Sequence, residues 1–188
     1  MQRLYAAVKA EKPWVKVGIS PFGIWRPGNP PGISGLDQYT ELYADAKLWL
    51  NEGWVDYFSP QLYWPIAQEK QSFPKLLDWW GGENTRKRHL WPGLYTSRVT
   101  GQAKGWESKE VADQIALTRK QKGDPGVIHF SMKALIKNAG GIAEQLKRVY
   151  AEPALVPETR WLAQGEPLPK PEVVRDTANG KPVVRVKA

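Results

Sequence analysis

The sequence predicts an α/β protein built on a parallel β-sheet. Helical and β-type segments alternate regularly, with about 35 to 40 residues per repeat, and such alternation is typical of right-handed βαβ units. The chain has 188 residues, of which 41% are hydrophobic and 10 are Trp, so it can form a sizeable core. The absence of cysteine excludes a disulfide framework, a thiolate zinc site and a cysteine nucleophile.

Hydrophobic periodicity defines the elements in chain order. The predicted helices cover residues 2–10, 37–51, 73–80, 109–122 and 142–150. The predicted strands cover residues 15–22, 55–64, 90–96 and 126–130. Within the second helix, apolar residues recur at spacings of three and four between Asp37 and Asn51, and Gly53 follows as a stop signal. Gly81 and Gly82 are expected to close the third helix in the same way.

The composition of the chain changes after Tyr150. Residues 153–172 are rich in proline and have no helical period, which predicts an extended linker. Residues 173–188 contain two short β-type runs around Asn179 and Gly180, a dipeptide typical of a tight hairpin turn. Because an isolated hairpin is only marginally stable in water, these residues are expected to begin a further β-rich domain.

Four parallel strands fit two architectures, an open doubly wound sheet or part of a (β/α)8 barrel of about 250 residues. In both, functional side chains lie at the carboxyl ends of the strands. Alternation in the second strand places Gln61 and Tyr63 on one face of the sheet and Leu62 and Trp64 on the other. The side chains expected at the strand ends are the aromatic residues Trp25, Tyr63, Trp64 and Tyr95, with Arg26, Gln61 and His129 among them.

This mixture of side chains is typical of a glycan groove. Sugar rings have apolar faces that stack on aromatic rings, and their hydroxyl groups bond to amide, guanidinium and imidazole groups. The alternative for each aromatic residue is a packing role, with Tyr63 and Trp64 in the core and Trp25 as a loop anchor, because Trp is usually well buried. Their joint occurrence at strand ends favours glycan binding.

The net charge of the chain favours anionic partners but does not choose between their classes. Lys and Arg number 27 against 19 Asp and Glu, so the net charge of +8 favours nucleic acid, acidic polysaccharide or a membrane surface. No apolar run approaches the length of about 20 residues that spans a bilayer, so no transmembrane segment is expected. Nucleic acid is disfavoured because the aromatic residues lie at strand ends and not across an open antiparallel face.

Other chemistries find little support in the sequence. The two histidines lack metal-binding spacing, and the glycine-rich residues 28–35 match neither a dinucleotide nor a P-loop motif, so no metal or cofactor is expected. Glycoside hydrolysis usually needs two facing carboxylates, and no Asp or Glu stands at the four strand ends. Asp56 enters its strand from the amino end and is interpreted as a helix-contact or turn residue. Glu69 and Glu107 lie in loops within reach of the strand ends, although a loop Glu is usually only solvated.

Four segments closely resemble the bacterial glycosyl-hydrolase-like 10 family. They are residues 12–26 (KPWVKVGISPFGIWR), 53–64 (GWVDYFSPQLYW), 91–95 (WPGLY) and 126–131 (GVIHFS). The length of the first motif and its spacing to the second make the resemblance specific, and it covers residues 2–150. Members of that family look like (β/α)8-barrel glycosidases of the bacterial envelope, often lipoproteins, with peptidoglycan glycan strands or related polysaccharides as substrates.

The resemblance implies that residues 1–152 are the carboxyl-terminal half of a TIM-type (β/α)8 barrel, its last four βα units. Residues 153–172 would then be the linker and residues 173–188 the start of a truncated accessory β domain. The substrate-binding residues carried over from the family are Ser20, Trp25, Arg26, Gln61, Tyr63, Trp64, Tyr95 and His129. No catalytic acid or nucleophile is carried over, because no position matches one, and these groups are expected in the other half of the barrel.

By this resemblance the parent protein is a glycoside hydrolase of the cell envelope or extracellular space that acts on cell-wall glycan, and this half alone is expected to be inactive. The exposed edges of half a barrel also predict self-association. One alternative is a non-catalytic glycan-binding module, which would have the same aromatic residues without a carboxylate pair. Another is an open doubly wound protein for small molecules, which would require the four strands to form a self-sufficient sheet.

Overall fold

The computed structural model describes residues 1–163, 172–178 and 181–187. The helices are α1 (Gln2–Glu11), α2 (Gln38–Glu41), α3 (Ala46–Asn51), α4 (Phe73–Glu83), α5 (Ser108–Thr118), α6 (Met132–Ile136) and α7 (Ile142–Val149). Short 3-10 helices cover Thr96–Arg98, Ala139–Gly141 and Arg160–Leu162. The strands are β1 (Gly18–Ile19), β2 (Tyr57–Phe58), β3 (His89–Leu90), β4 (Gly93–Leu94), β5 (Ile128–His129), β6 (Glu172–Ala178) and β7 (Lys181–Lys187). The predicted mixed α/β class is therefore confirmed.

The parallel strands are neighbours in chain order. Strand β2 pairs with β1 on one side and β3 on the other, and β4 pairs with β5. Single bridges from Gln61 to Phe22 and to Gly93 continue this pairing toward the carboxyl ends. We call that end of the sheet the carboxyl edge and the opposite end the amino edge.

The regular strands are much shorter than the periodicity predicts. A proline interrupts each of the first three predicted strands, at Pro21, Pro60 and Pro92. Proline has no backbone N–H to donate, so the ladder of hydrogen bonds is broken at each of these positions. The proline carbonyls still accept bonds across the sheet, from Gln61, Gly93 and Ile128 respectively, which keeps the strands aligned.

The single amphipathic helix predicted from Asp37 to Asn51 is wrong. The structure has two short helices there, because Asp45 accepts a hydrogen bond from the backbone N–H of Leu48 and starts a new helix. Between them, Tyr43 adopts the left-handed conformation with φ of 52°. The break turns Tyr43 outward, so this residue of the predicted core face is 91% exposed.

The glycines at positions 81 and 82 do not close α4, which continues to Glu83. Glycine lowers helix propensity but permits helical backbone angles, and the packing of the helix outweighs that cost. The helix ends at Asn84, whose side chain accepts a hydrogen bond from the backbone N–H of Arg88 at 2.9 Å. The end of α4 is therefore fixed by an asparagine that bonds to the approach to β3.

The core lies between the sheet and one layer of helices. Phe58, Leu62 and Leu94 point from the strands into this layer and are fully buried. The ring of Phe58 contacts Trp80 of α4 with centroids 4.8 Å apart. The buried helix residues include Leu50, Leu76, Leu77, Trp80, Val111, Ile115, Ile142 and Leu146. The helices thus cover one face of the sheet.

Asp56 organises the amino edge. This fully buried carboxylate accepts hydrogen bonds from Tyr5 at 2.8 Å, from Lys9 at 2.6 Å and from the backbone N–H of Val17 at 2.7 Å. A fourth comes from Trp161 Nε1 at 2.7 Å. Burial alone would raise the pKa of Asp56, but these donors outweigh burial and lower it. The interpretation of Asp56 as a helix-contact residue is confirmed, because Tyr5 and Lys9 belong to α1.

The segment after α7 returns to the sheet. The ring of Trp161 lies 4.9 Å from His89 and under the guanidinium of Arg88 at 4.6 Å. Farther along the chain, β6 pairs with β7 in antiparallel fashion, from Glu172 opposite Lys187 to Ala178 opposite Lys181. The predicted turn residues 179–180 and residues 164–171 of the predicted linker lie outside the described residues. Within the described ranges, no helix combines the length and apolar character needed to cross a membrane.

Candidate functional site

Three aromatic rings meet at the carboxyl edge, on the face of the sheet opposite to the buried side chains of Leu62 and Leu94. Tyr63 lies 5.1 Å from Tyr95 and 5.5 Å from Phe130, measured between ring centroids, and Tyr95 lies 6.0 Å from Phe130. We call these three residues the aromatic cluster. Each follows a residue that packs toward the helices, as Leu62 and Leu94 do, because side chains alternate along a strand.

The backbone around the aromatic cluster holds the rings at these spacings. Ser97 donates its backbone N–H to the carbonyl of Phe130 at 2.8 Å, and its hydroxyl accepts the backbone N–H of Ser131 at 2.8 Å. A Cβ atom at position 93 would lie 3.3 Å from the Tyr63 ring, so the absence of a side chain at Gly93 leaves room for that ring. Phe130 is 50% exposed and the two tyrosines are partly exposed. The cluster is therefore a preformed apolar platform that solvent reaches.

The tyrosine hydroxyls add polar chemistry to the platform. Burial, and the negative charge that Tyr95 would carry, raise the pKa of Tyr63. The Tyr63 hydroxyl consequently stays neutral at physiological pH and can both donate and accept a hydrogen bond. A ligand with an apolar face and hydroxyl groups fits this combination.

Gln61 and Ser20 lie on the same edge beside the aromatic cluster. Gln61 precedes Tyr63 by two residues, so its side chain leaves the same face of the strand. Its amide donates to the backbone carbonyl of Ser20 at 3.0 Å, and Ser20 is exposed. Of the residues that the sequence predicted, the structure thus pairs Gln61 with Ser20 and Tyr63 with Tyr95, and alternation along the strand places Gln61 and Tyr63 on the same face.

Trp25 and Arg26 contact the helical layer instead. Trp25 donates from Nε1 to Asp45 at 3.0 Å and stacks on Trp79 of α4, with ring centroids 6.0 Å apart. The Nε atom of Arg26 lies 3.4 Å from the carboxylate of Asp37. These contacts direct both side chains toward the helices and correspond to the loop-anchor alternative for Trp25.

Trp64 and His129 also lie on the helical side of the sheet. Trp64 packs against the core and meets Phe22 edge-on at 5.5 Å. The Nδ1 atom of His129 lies 2.7 Å from the hydroxyl of Thr96, and its Nε2 atom lies 3.1 Å from the hydroxyl of Tyr150. Burial lowers the pKa of His129, so the ring is neutral at pH 7. Both of its nitrogens are thus bonded within the protein.

Sequence reasoning missed Phe130 and Trp106. Phe130 was detectable, because it follows His129 in the fourth strand and alternation places it on the opposite face. Trp106 stands edge-on to Tyr95 at 6.1 Å, and its backbone N–H bonds to the carbonyl of Arg98 at 2.8 Å. It lies in the loop before α5, where no periodic pattern marks its orientation.

Several carboxylates near these loops support the structure. Asp37 and Asp45 cap α2 and α3. Glu110 accepts hydrogen bonds from the backbone N–H of Ile66 at 2.7 Å and from Gln114 at 2.9 Å. Glu69 and Glu107 are exposed. Over residues 1–163 and the two described strands beyond them, no three His, Asp or Glu side chains gather as metal ligands would.

Comparison with known proteins identifies the relatives of the chain. Residues 1–109 match the family described as Glycosyl hydrolase-like 10. The chain is 38% identical over 190 residues to Glycosyl hydrolase YngK of Bacillus subtilis (strain 168), covering 96% of this chain and 37% of that protein. It is 39% identical over 77 residues to Glycosyl hydrolase DigH of Escherichia coli (strain K12), covering 39% of this chain and 18% of that protein. The resemblance in the motifs is confirmed, and the chain belongs to the glycosyl hydrolase-like 10 family.

Proposed function

We propose that this chain is one half of a glycoside-hydrolase barrel that acts on bacterial cell-wall glycan, and that it supplies sugar-binding residues. The aromatic cluster carries the proposal, because it offers closely spaced, partly exposed rings on the face of the sheet opposite to the buried core residues. Family membership supports a glycosidase-related activity. The substrates proposed are peptidoglycan glycan strands or a related polysaccharide, which would place the parent protein in the cell envelope or outside the cell.

The sheet order supports a half-barrel. In a (β/α)8 barrel each parallel strand lies beside the next one in the chain, whereas a doubly wound sheet reverses its order at a switch point. Here β1, β2 and β3 are neighbours in chain order and β4 pairs with β5, while the bridge from Gln61 to Gly93 places β4 beside the residues that follow β2. The buried helix residues pack with Phe58, Leu62 and Leu94 on one face. The other face, with the aromatic cluster, would then look into the barrel at its carboxyl end, where barrel enzymes hold their substrates.

The chemistry assigned to this half is binding and orientation. A sugar ring would stack its apolar face on Tyr63, Tyr95 or Phe130, and its hydroxyl groups would bond to Gln61 and to the Tyr63 hydroxyl. The acid and base of hydrolysis are assigned to the remainder of the parent protein. Their separation would decide between retention and inversion of the anomeric configuration.

The test replaces Tyr63 and Tyr95 by alanine, singly, in the full-length parent protein and in this chain. Loss of one stacking ring should weaken binding of purified glycan strands by about threefold to tenfold and slow the release of reducing ends by the parent. Tyr43→Ala is the matched control, because it removes an exposed tyrosine that lies outside the cluster. Unchanged binding in both cluster variants would refute the role of the aromatic cluster.

A second candidate is a non-catalytic glycan-binding module. It is favoured because several carboxylates already accept hydrogen bonds that support the fold. They belong to Asp37, Asp45, Asp56 and Glu110. Reducing-end assays on the parent protein separate the two candidates. A binding module binds glycan without producing new reducing ends, whereas a hydrolase produces reducing ends that increase in number with time.

A further inference from the structure

Two rings of the aromatic cluster, Tyr95 and Phe130, stand just beyond the regular strands. Strand β4 ends at Leu94 and β5 ends at His129, and these two residues are the last pair of the parallel ladder. A 3-10 helix begins at Thr96, directly after Tyr95. The regular ladder therefore ends where the two rings begin, and contacts outside it set their separation.

A side-chain hydrogen bond crosses between the two chain segments at this point. The Oγ1 atom of Thr96 lies 2.7 Å from the Nδ1 atom of His129. Thr96 follows Tyr95 and His129 precedes Phe130, so the bond joins the immediate neighbours of both rings. Thr96 is fully buried, and a hydrogen bond shielded from water is electrostatically stronger than one in solvent. Because His129 lies on the helical side of the sheet, the bond leaves the exposed face of the rings free.

The second nitrogen of the His129 ring is held as well. Its Nε2 atom lies 3.1 Å from the hydroxyl of Tyr150, the residue that ends α7. There the guanidinium of Arg119 donates to the carbonyl of Val149 at 2.9 Å and lies 5.5 Å from the centre of the Tyr150 ring. A neutral imidazole has one donor and one acceptor nitrogen, and a hydroxyl group can take either role, so both bonds form together. The imidazole is thereby fixed between Thr96 and the end of α7.

We propose that Thr96 and His129 are positioning residues for the aromatic cluster, which fix the separation of the Tyr95 and Phe130 rings without touching the ligand. This proposal rests on the proposed function, because the ligand is the sugar assigned to the cluster. It changes the role of His129, which the family resemblance assigns to substrate contact. Stacking depends on the spacing and angle of the aromatic faces, so displacement of one ring weakens a ligand that uses both.

The first measurement follows the Phe130 ring in the full chain without any ligand. The chain has four phenylalanines, so phenylalanine labelled with 13C in its ring gives few NMR signals, and Phe130→Leu identifies the signal of interest. Thr96→Val removes one hydroxyl with little change of shape, and Tyr150→Phe removes the other. In both variants the Phe130 signal should move by more than its linewidth, because the nearby tyrosine rings, 5.5 and 6.0 Å away, shift it through their ring currents.

Two internal references accompany this measurement. The signals of Phe58 and Phe73 should stay in place, because both residues are fully buried in the core. Thr96→Ser restores the hydroxyl and should return the Phe130 signal to its native position. All variants are compared at one protein concentration, so that self-association contributes equally to each spectrum.

The second measurement is the affinity of the same variants for purified peptide-free glycan strands. Thr96→Val and Tyr150→Phe should each weaken binding by about threefold, the lower end of the loss expected for removal of a whole ring. Thr96→Ser should bind as the native chain does. A shifted Phe130 signal with unchanged affinity would overturn the role of these residues in binding.

The matched control is Thr118→Val. Thr118 is also buried, and its hydroxyl donates to the carbonyl of Gln114 within α5 at 2.9 Å, so the same chemical group is lost away from the cluster. An equal shift of the Phe130 signal in this control would assign the effect to lost stability and overturn the proposal. An unmoved signal in both Thr96→Val and Tyr150→Phe would overturn it as well. A native chain that binds no glycan would refute the proposed function, while the Phe130 signal would still decide whether Thr96 and His129 position the ring.

Discussion

The two histidines of the chain are both held in environments that disfavour their charged form. Burial lowers the pKa of His129, and burial together with the charge of Lys16 lowers the pKa of His89, against smaller opposing effects of Asp124 and Asp56. The Nε2 atom of His89 is buried and has no hydrogen-bond partner among the described residues. A proton placed there would therefore lack an acceptor, which disfavours the charged ring further.

Stability should consequently fall as the solution becomes mildly acidic. Below the unfolded pKa of about 6.5, the unfolded chain takes up protons that the folded chain resists, so the free energy of unfolding decreases as the pH falls toward the lower folded pKa. The slope is at most about 1.4 kcal/mol per pH unit for each histidine. Urea denaturation between pH 7.5 and 5.5 measures it, and His89→Gln/His129→Gln should flatten the dependence. An unchanged slope in that variant would contradict the assignment.

At the level of single residues, sequence periodicity predicted which face of a strand a side chain occupies better than it predicted the hydrogen-bond partners of that side chain. The face of Tyr63 follows from alternation along one strand, which is a local property. The partners of Trp25 and His129 depend on Asp45 and Tyr150, which lie 20 and 21 residues away in the chain. Tertiary packing alone decides such contacts, so no pattern in the sequence indicated them.

At the level of the elements, the break between α2 and α3 places Tyr43 in a strained backbone conformation whose energetic cost can be measured. Tyr43 has φ of 52°, a conformation that costs a non-glycine residue about 1 kcal/mol or more, and its side chain is 91% exposed. Tyr43→Gly should therefore raise the free energy of unfolding by about 0.5 to 1 kcal/mol, because glycine adopts this conformation freely. Thermal and urea denaturation measure the change.

Tyr39→Gly provides the control for this prediction. Tyr39 lies inside α2, so glycine there should lower stability, by about 0.5 to 1 kcal/mol from helix propensity alone. The two substitutions make the same chemical change four residues apart and should act in opposite directions. A loss of stability in both would mean that Tyr43 makes contacts that outweigh its backbone strain.

The order of the longer helices and of the parallel strands was predictable, whereas the boundaries of the elements and the short helix α6 were not. Long periodic segments such as α5 and α7 were recognised, because a helix of that length repeats its apolar face several times. The prediction of one helix from Asp37 to Asn51 was wrong because Asp45, a polar residue between the apolar positions, caps a new helix by accepting the backbone N–H of Leu48. The predicted strands were too long because each of the first three contains a proline. Proline has no N–H to donate, so regular pairing stops there although the apolar pattern continues.

For the molecule as a whole, the two outer strands of the parallel sheet are the surfaces through which we expect it to self-associate. In the described part of the chain, β1 pairs only with β2 and β5 only with β4, so each has one unpaired side. Unpaired strand sides offer N–H and C=O groups to another chain. We expect the isolated chain to self-associate in a concentration-dependent manner, and sedimentation velocity from 1 to 100 μM should show species above the monomer mass of 21.2 kDa.

The remaining half of the proposed barrel should suppress this association when it is supplied in trans. It would pair with both outer strands and compete with self-pairing, since a closed barrel has no free strand sides. A single 21.2 kDa species across the whole concentration range, with a sharp cooperative melt, would contradict the prediction. That result would favour a self-sufficient open sheet.

The docking of Trp161 at the amino edge ties both ends of the sheet-forming region to one carboxylate. Asp56 accepts hydrogen bonds from Tyr5, Lys9 and Trp161, which lie 51, 47 and 105 positions away in the chain. Loss of this carboxylate would release α1 and the segment around Trp161 together, so the two are expected to open as one cooperative unit.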